Sequence, residues 1–154
     1  MSHTQHGTTD TSRLAFQATI HCLTGCGIGE VLGLGGATLL GLGNAASIVL
    51  GIVLAFVFGY GLTFVPLLRA GMPLLRATGI TFAAETLSIT TMEIVDNLVV
   101  LAVPGAMDTG LGDILFWGSL ALSLALAFVA AFPVNRMLIA RGLGHAVVHG
   151  GAHS

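Results

Sequence analysis

The sequence lacks lysine altogether and is poor in charge of either sign. Only 8% of its 154 residues are charged, whereas soluble domains carry about 25%. The formal net charge is -2, and a phosphate-binding surface needs clustered lysine and arginine. Nucleic acid is therefore not expected as a partner. With 55% hydrophobic residues and a mean hydropathy of +0.95, the composition indicates a membrane protein whose main partner is the lipid bilayer.

Cysteine is also scarce, and the two ends of the chain are polar. Two cysteines exclude a disulfide scaffold. Residues 1–13 lack the basic start and apolar core of a secretory signal, so they are predicted to be a mobile polar tail. Residues 142–154 are predicted to form a second tail. The histidines of the tails could capture metal or be solvated; they are His3, His6, His145, His149 and His153.

Long apolar runs dominate the rest of the chain. A hydrocarbon core about 30 Å thick needs roughly 20 apolar residues per helix, and four segments meet this length: about 15–41, 44–68, 74–103 and 113–140. Continuous runs do not fit barrel strands, which alternate in polarity. The sequence thus predicts an all-α integral membrane four-helix bundle over residues 14–141, with connections too short for a separate soluble domain.

The arginines predict the orientation of this bundle. Every arginine falls on one side of a four-span layout: Arg13, Arg69, Arg76, Arg136 and Arg141. The two connections on the other side carry Asp108 and Asp113 and no basic residue. Because basic residues concentrate in cytoplasmic loops, both termini are predicted to lie in the cytoplasm, and the chain is predicted to be a multi-pass protein of the bacterial inner membrane.

The first span carries polar groups in the stretch "HCLTGCGIGE". On a helix that advances about 100° per residue, Cys22, Cys26 and Glu30 form one stripe. His21 lies about 100° from Cys22, so it joins the same site only if the helix loosens or another subunit supplies the contact. An acid inside a span is a functional-site hypothesis by default.

A second stripe of the first span consists of small residues. Gly25, Gly29 and Gly33 repeat the small-xxx-small pattern, which lets another backbone approach closely. The polar stripe beside it is therefore expected to face a neighbouring helix. The same seam in so small a bundle predicts packing against further copies of the chain, as a homo-oligomer.

The third span supplies a matching polar face in "FAAETLSITTMEIVDN". Glu85, Met92 and Asp96 lie within about 20° of one another around the helix, and Glu93 is about 80° away. The first and third spans run in the same direction, so their polar faces are predicted to meet as a ladder. Counting from the inner span ends places Glu85 level with Cys26.

Four acids inside the spans need compensation, since each charge at mid-span costs about 2.5–3.5 kcal/mol. Either the acids are protonated, or they face water, or a cation lies among them. Protonated acids acting only as hydrogen-bonding contacts between helices are the alternative without a ligand. In the second and fourth spans, the stretches "SIVLGIVLAFVFGYGLTFVPLL" and "ILFWGSLALSLALAFVAAF" offer only Ser, Thr and Tyr. These two spans are therefore predicted to separate the polar pair of spans from lipid.

The mixture of ligand types leaves several chemistries open. Thiolate, thioether and imidazole suit copper(I), while carboxylates suit harder ions. The chain is therefore predicted to bind and transport a transition-metal ion, with copper(I) favoured over zinc and iron. The proposed ligands are His21, Cys22, Cys26, Glu30, Glu85, Met92, Glu93 and Asp96. The alternatives are a membrane thiol/quinone oxidoreductase using Cys22 and Cys26, a carboxylate-bridged metal enzyme, and a passive assembly subunit.

The two motifs above, with "FWGSLALSLALAFVAAFPVNRMLIARGLGHAVVHG", resemble a bacterial membrane family catalogued as domain of unknown function 4396. The resemblance covers about residues 17 to 149. It implies a four-helix membrane protein in which the first and third motifs belong together, and it lends some support to copper. It implies no settled activity.

Overall fold

Four long α-helices make up most of residues 4–143, which the computed structural model describes, with side chains described from residue 10. They are α1 (Thr4–Leu39), α2 (Asn44–Arg69), α3 (Leu74–Ala102) and α4 (Ile114–Ala140). A one-turn 3₁₀ helix (Ala106–Asp108) lies in the connection between α3 and α4. The predicted all-α, four-helix architecture is confirmed.

The observed helix ends differ from the predicted spans mainly at the N-terminus. Helix α1 begins at Thr4, so residues 4–13, predicted to be a mobile tail, are helical. The predicted span began where the sequence changes from polar to apolar residues. That change indicates where a helix can enter a membrane, not where the helix itself begins. Residues 144–154, with most of the predicted C-terminal tail and its histidines, lie outside the described residues, as do His3 and the side chain of His6.

Glycine follows the ends of α1 and α2, where the chain reverses. Gly41 and Gly71 have φ values of 65° and 82°, a left-handed conformation that glycine adopts without steric cost. After α1, Leu42 N–H donates to the Ala37 carbonyl at 2.9 Å, as in a Schellman helix ending. These tight reversals make successive helices antiparallel, so α1 and α3 run in the same direction.

The helices form a ring in which each contacts its sequence neighbours and α1 also contacts α4. Across the ring, α1 and α3 touch each other directly. Because α1 and α3 begin at the end of the bundle where α2 and α4 finish, the arginines gather at that end. Asp108 and Asp113 lie in the connection at the opposite end.

The apolar side chains lie mostly on the outside of the bundle. Val57, Leu98 and Val129 are 57%, 60% and 68% exposed, whereas the interior contains small and polar residues such as Ala55 and Ser123. This distribution suits a hydrocarbon solvent. Three described helices are long and apolar enough to span a membrane: α1 from Asp10, α2 and α4. Helix α3 is not among them, since it carries most of the intramembrane acids predicted from the sequence.

The glycine stripe of α1 packs against α2 within the same chain. A Cβ atom on Gly25 would lie 2.8 Å from the Gly59 backbone, and one on Gly33 would lie 2.7 Å from Gly51 N. Gly29 meets the backbone of Ala55 even more closely. The glycine stripe is therefore already covered by α2 of the same chain. A homo-oligomer would need another surface, so the glycine stripe no longer supports the predicted homo-oligomer.

Candidate functional site

The polar faces of α1 and α3 meet in the interior, as the sequence pattern predicts. Nearest the arginine-bearing end, the Cys22 thiol donates to Glu85 Oε2 at 2.9 Å. Both side chains are fully buried. Ser88, one turn along α3, is also fully buried. The first level of the site is thus a thiol-carboxyl pair shielded from the outer surface.

Helix α2 completes this level and brings in the histidine. Thr63 Oγ1 donates to Glu85 Oε1 at 2.6 Å and lies 3.1 Å from His21 Nε2. Because a hydroxyl group has one proton, the histidine Nε2 donates to Thr63. His21 therefore joins the site through Thr63, with neither a loosened helix nor a second subunit, which were the two routes expected from the sequence.

The middle level brings together two sulfur atoms. The Cys26 thiol is directed to Met92 Sδ at 3.9 Å, and both side chains are buried. Glu93 is adjacent and only 5% exposed. The Cys26 thiol lies close to the Glu93 carboxyl group, yet among the described residues neither oxygen of Glu93 has a hydrogen-bond partner.

The outer level is a pair of carboxyl groups. Glu30 on α1 lies beside Asp96 on α3, and Ser123 on α4 donates to Asp96 Oδ1. Glu30 also lies within electrostatic range of Glu93. Glu93 thus stands between the two sulfur atoms and the carboxyl pair, and the three levels follow one another along the bundle.

The levels are shifted relative to the predicted ladder. Glu85 was expected level with Cys26, but its partner is Cys22, one turn closer to the arginine-bearing end. The expectation counted residues from the ends of the apolar runs. The actual register is determined by which side chains pack at the contact of α1 with α3, and α1 extends beyond its apolar run.

Three polar side chains on α2 and α4 were not predicted to contact the polar groups of α1 and α3, because those helices were expected only to separate these groups from lipid. Thr63 and Ser123 bond directly to the acids of α3, and Asn135 donates to Thr19 Oγ1 at 2.9 Å in the core. A signal was present in the sequence. Small residues recur at every fourth position of both helices, and the three polar residues belong to these two series. The series are Gly51, Ala55, Gly59 and Thr63 on α2, and Ser119, Ser123, Ala127, Ala131 and Asn135 on α4.

The geometry limits how a metal ion could be held. Across residues 10–143, no group of three or more His, Cys, Asp or Glu side chains is arranged to hold one ion. Beside Cys26 and Glu93, the thioether of Met92 is a further group that could coordinate a metal ion. Both cysteines are free thiols with different partners, so they do not form a disulfide pair.

Together, the apolar surface, the small-residue core and the buried acids define an all-α bundle of the membrane type. Residues 11–144 match the model of a family described as a domain of unknown function (DUF4396). The chain belongs to this family, as the resemblance of its motifs predicted. No curated protein and no solved structure matches the chain.

Proposed function

We propose that this chain is a four-span protein of the bacterial inner membrane, with both termini in the cytoplasm, that binds and transports a transition-metal ion. Copper(I) is the favoured ion, followed by zinc and iron. The path would follow the three levels of the site, which contain His21, Cys22, Cys26, Glu30, Glu85, Met92, Glu93 and Asp96.

The observation that carries this proposal is the middle level of the site. Cys26 and Met92 face each other with their sulfur atoms 3.9 Å apart, beside a buried carboxyl group that lacks a hydrogen-bond partner among the described residues. A buried polar group without a partner costs about 1–3 kcal/mol, and a bound cation would remove that cost. Thiolate and thioether ligands favour copper(I) over harder ions.

Two of the alternatives have less support from the site. A thiol/quinone oxidoreductase would use Cys22 and Cys26 as a pair, but their thiols are directed to Glu85 and Met92 respectively. A carboxylate-bridged enzyme would need several acids around one ion, and the described acids form no such group. A mixed soft site for a single ion fits the observed side chains better.

Metal analysis of the purified protein tests this proposal. We expect one tightly bound equivalent of copper(I) per chain after anaerobic loading with ascorbate as reductant. Replacing ligands at the middle level, as in Cys26→Ser with Met92→Leu, should lower the affinity by about 100-fold or more, since even outer-shell changes cost about 10–100-fold. The measurement is a titration against a colorimetric copper(I) chelator.

A matched control distinguishes the site from methionine content in general. Met137 on α4 is 40% exposed, so Met137→Leu should leave copper binding unchanged. Tight binding that survives the Cys26→Ser, Met92→Leu double substitution, or a wild-type protein that retains no metal, would contradict the proposal.

A further inference from the structure

A groove opens on the outer surface of the bundle between α1 and α2, in the half that ends at the arginines. Its volume is about 330 Å³. Phe16 and Ile20 of α1 and Leu62 of α2 form its apolar walls. Phe16 and Ile20 are also exposed on the apolar surface of the bundle. The groove is therefore continuous with the surface that faces lipid, and a hydrocarbon chain of the bilayer can enter it from the side.

The groove also contains a polar side chain, although it lies on an apolar span. Gln17 lines the groove and is exposed, within the part of α1 that is apolar enough to cross a membrane. An amide group that faces hydrocarbon costs free energy unless it forms hydrogen bonds. Its NH₂ group can donate to the ester carbonyls or the phosphate of a lipid. An apolar groove with one amide suits a molecule that has both kinds of group.

Two arginines lie on the groove side of their helices. Arg13 is four residues before Gln17 on α1, which places it about 40° from Gln17 around the helix. Arg69 is seven residues after Leu62 on α2, which places it about 20° from Leu62 around that helix. Both arginines are exposed. Each wall of the groove therefore continues into an arginine at the end of the bundle.

The two arginines also lie at a similar height. The hydrogen bond between His21 and Thr63 fixes the level of α1 relative to α2. Arg13 lies eight residues before His21, and Arg69 lies six residues after Thr63. These separations correspond to about 12 Å and 9 Å along the helices in the same direction. The two positive charges therefore flank the end of the groove together.

The charge at this end of the bundle favours an anion. Of the seven acidic residues in the chain, only Asp10 accompanies the arginines here among the described residues. Asp10 lies beyond Arg13, farther from the groove. Guanidinium groups match the geometry of a phosphate group and form charge-assisted hydrogen bonds with it. Basic residues beside a groove between membrane helices are typical of sites for anionic lipid headgroups.

We propose that this groove binds one anionic phospholipid. Its phosphate group binds Arg13 and Arg69, its ester region contacts Gln17, and one acyl chain packs against Ile20 and Leu62. In the proposed orientation, the lipid belongs to the inner leaflet. A zwitterionic phospholipid should bind more weakly, because its ammonium group offsets the charge of the phosphate. The inference does not depend on the proposed metal transport, since the lipid occupies the outer surface of the bundle.

Titration of the metal-free protein in detergent micelles with single phospholipids tests the site, with native mass spectrometry as the readout. The probes are phosphatidylglycerol and phosphatidylcholine with identical acyl chains. We expect one tight equivalent of phosphatidylglycerol per chain, preferred by about 5-fold for each arginine, or about 25-fold in total. Arg13→Gln and Arg69→Gln should each lower the preference by about 5-fold, and the double variant should lose it.

A third arginine is the matched control for charge. Arg76 is exposed at the same end of the bundle, but it belongs to α3, which contributes no residue to the lining of the groove. Arg76→Gln should therefore leave the preference unchanged. Equal binding of the two lipids by the wild type would overturn the proposal. An equal loss from Arg76→Gln would also overturn it, because the preference would then come from the positive surface in general.

A substitution that leaves the charge unchanged tests the position of the lipid. Leu62→Trp should fill the apolar part of the groove and abolish the tight equivalent. Val129→Trp, at a 68% exposed position on α4, should leave it intact. A tight lipid that survives Leu62→Trp would overturn the groove as its site. Circular dichroism and gel filtration check the fold of each variant, and the arginine variants decide the outcome if Leu62→Trp does not fold.

Discussion

Two buried glutamates of α3, Glu85 and Glu93, have opposite surroundings. Glu85 accepts hydrogen bonds from Cys22 and Thr63, whereas Glu93 has no hydrogen-bond partner within the described residues. An acid that serves only to connect helices should be bonded, since a buried group without a partner lowers stability. The contrast indicates that Glu85 contributes to the fold, and it supports a ligand-binding role for Glu93.

Replacing each glutamate by methionine separates these roles. Glu93→Met removes an unsatisfied carboxyl group, so we expect the free energy of unfolding without metal to rise by about 1–3 kcal/mol, while copper(I) affinity falls. Glu85→Met removes the acceptor of two hydrogen bonds and should lower the free energy of unfolding. Denaturant titration in detergent micelles measures both. Equal destabilisation by the two substitutions would mean that Glu93 is structural.

At the scale of the helices, the close contact of α1 with α2 positions the polar stripe. The glycines of α1 let the α2 backbone approach, and this approach brings Thr63 to Glu85 and His21. Small residues at the contact are what allow such packing in a membrane, where no hydrophobic effect drives helices together. The glycine stripe therefore allows α2 to supply Thr63 as a hydrogen-bond partner for the polar groups of α1 and α3.

Gly29→Ala tests this contact. The added methyl group would overlap the backbone at Ala55, which cannot move aside as a flexible side chain can, so we expect a loss of about 1–3 kcal/mol in the free energy of unfolding. Gly27→Ala is the matched control on the same helix, because its Cβ would lie 3.5 Å from Leu124 Cδ1, an ordinary contact. Since alanine favours the helix over glycine, Gly27→Ala should not lower the unfolding midpoint, and an equal loss from both substitutions would show that the close approach to Ala55 is not responsible.

At the scale of the whole molecule, α3 depends on the other helices. It is the one long described helix not apolar enough by composition to span a membrane, and its acids are covered by α1, by Thr63 of α2 and by Ser123 of α4. The bundle thus hides a polar helix behind apolar surfaces. The arginines at one end agree with the orientation we propose for the membrane.

Reporter fusions test this orientation. A fluorescent protein that matures only in the cytoplasm should fluoresce when it follows Ser154, because the C-terminus is proposed to be cytoplasmic. Alkaline phosphatase, active only outside the cytoplasm, should be active when inserted after Thr109 and inactive when inserted after Gly71, in the connection between α2 and α3. The reverse pattern of activities would overturn the proposed N-in and C-in orientation.

Much of the architecture was predictable from the sequence because its signals are local. Apolar run length predicted the bounds of α2, α3 and α4 to within about two residues, and the 3.6-residue period identified the polar stripes of α1 and α3. The period cannot report the axial register of two helices. That is why Glu85 was expected beside Cys26 and is bonded to Cys22.

The sequence by itself determined the helical class, the gathering of arginines at one end, and the faces on which Cys22, Cys26, Glu85 and Asp96 lie, because each follows from composition or periodicity along one chain segment. Only the tertiary structure decided which partners these groups have. Thr63 and Ser123 reach the acids, the glycine stripe packs on α2 rather than on another copy, and Glu93 is left without a hydrogen bond in the part of the chain described. These are contacts between segments distant in sequence, and they depend on how closely whole helices approach.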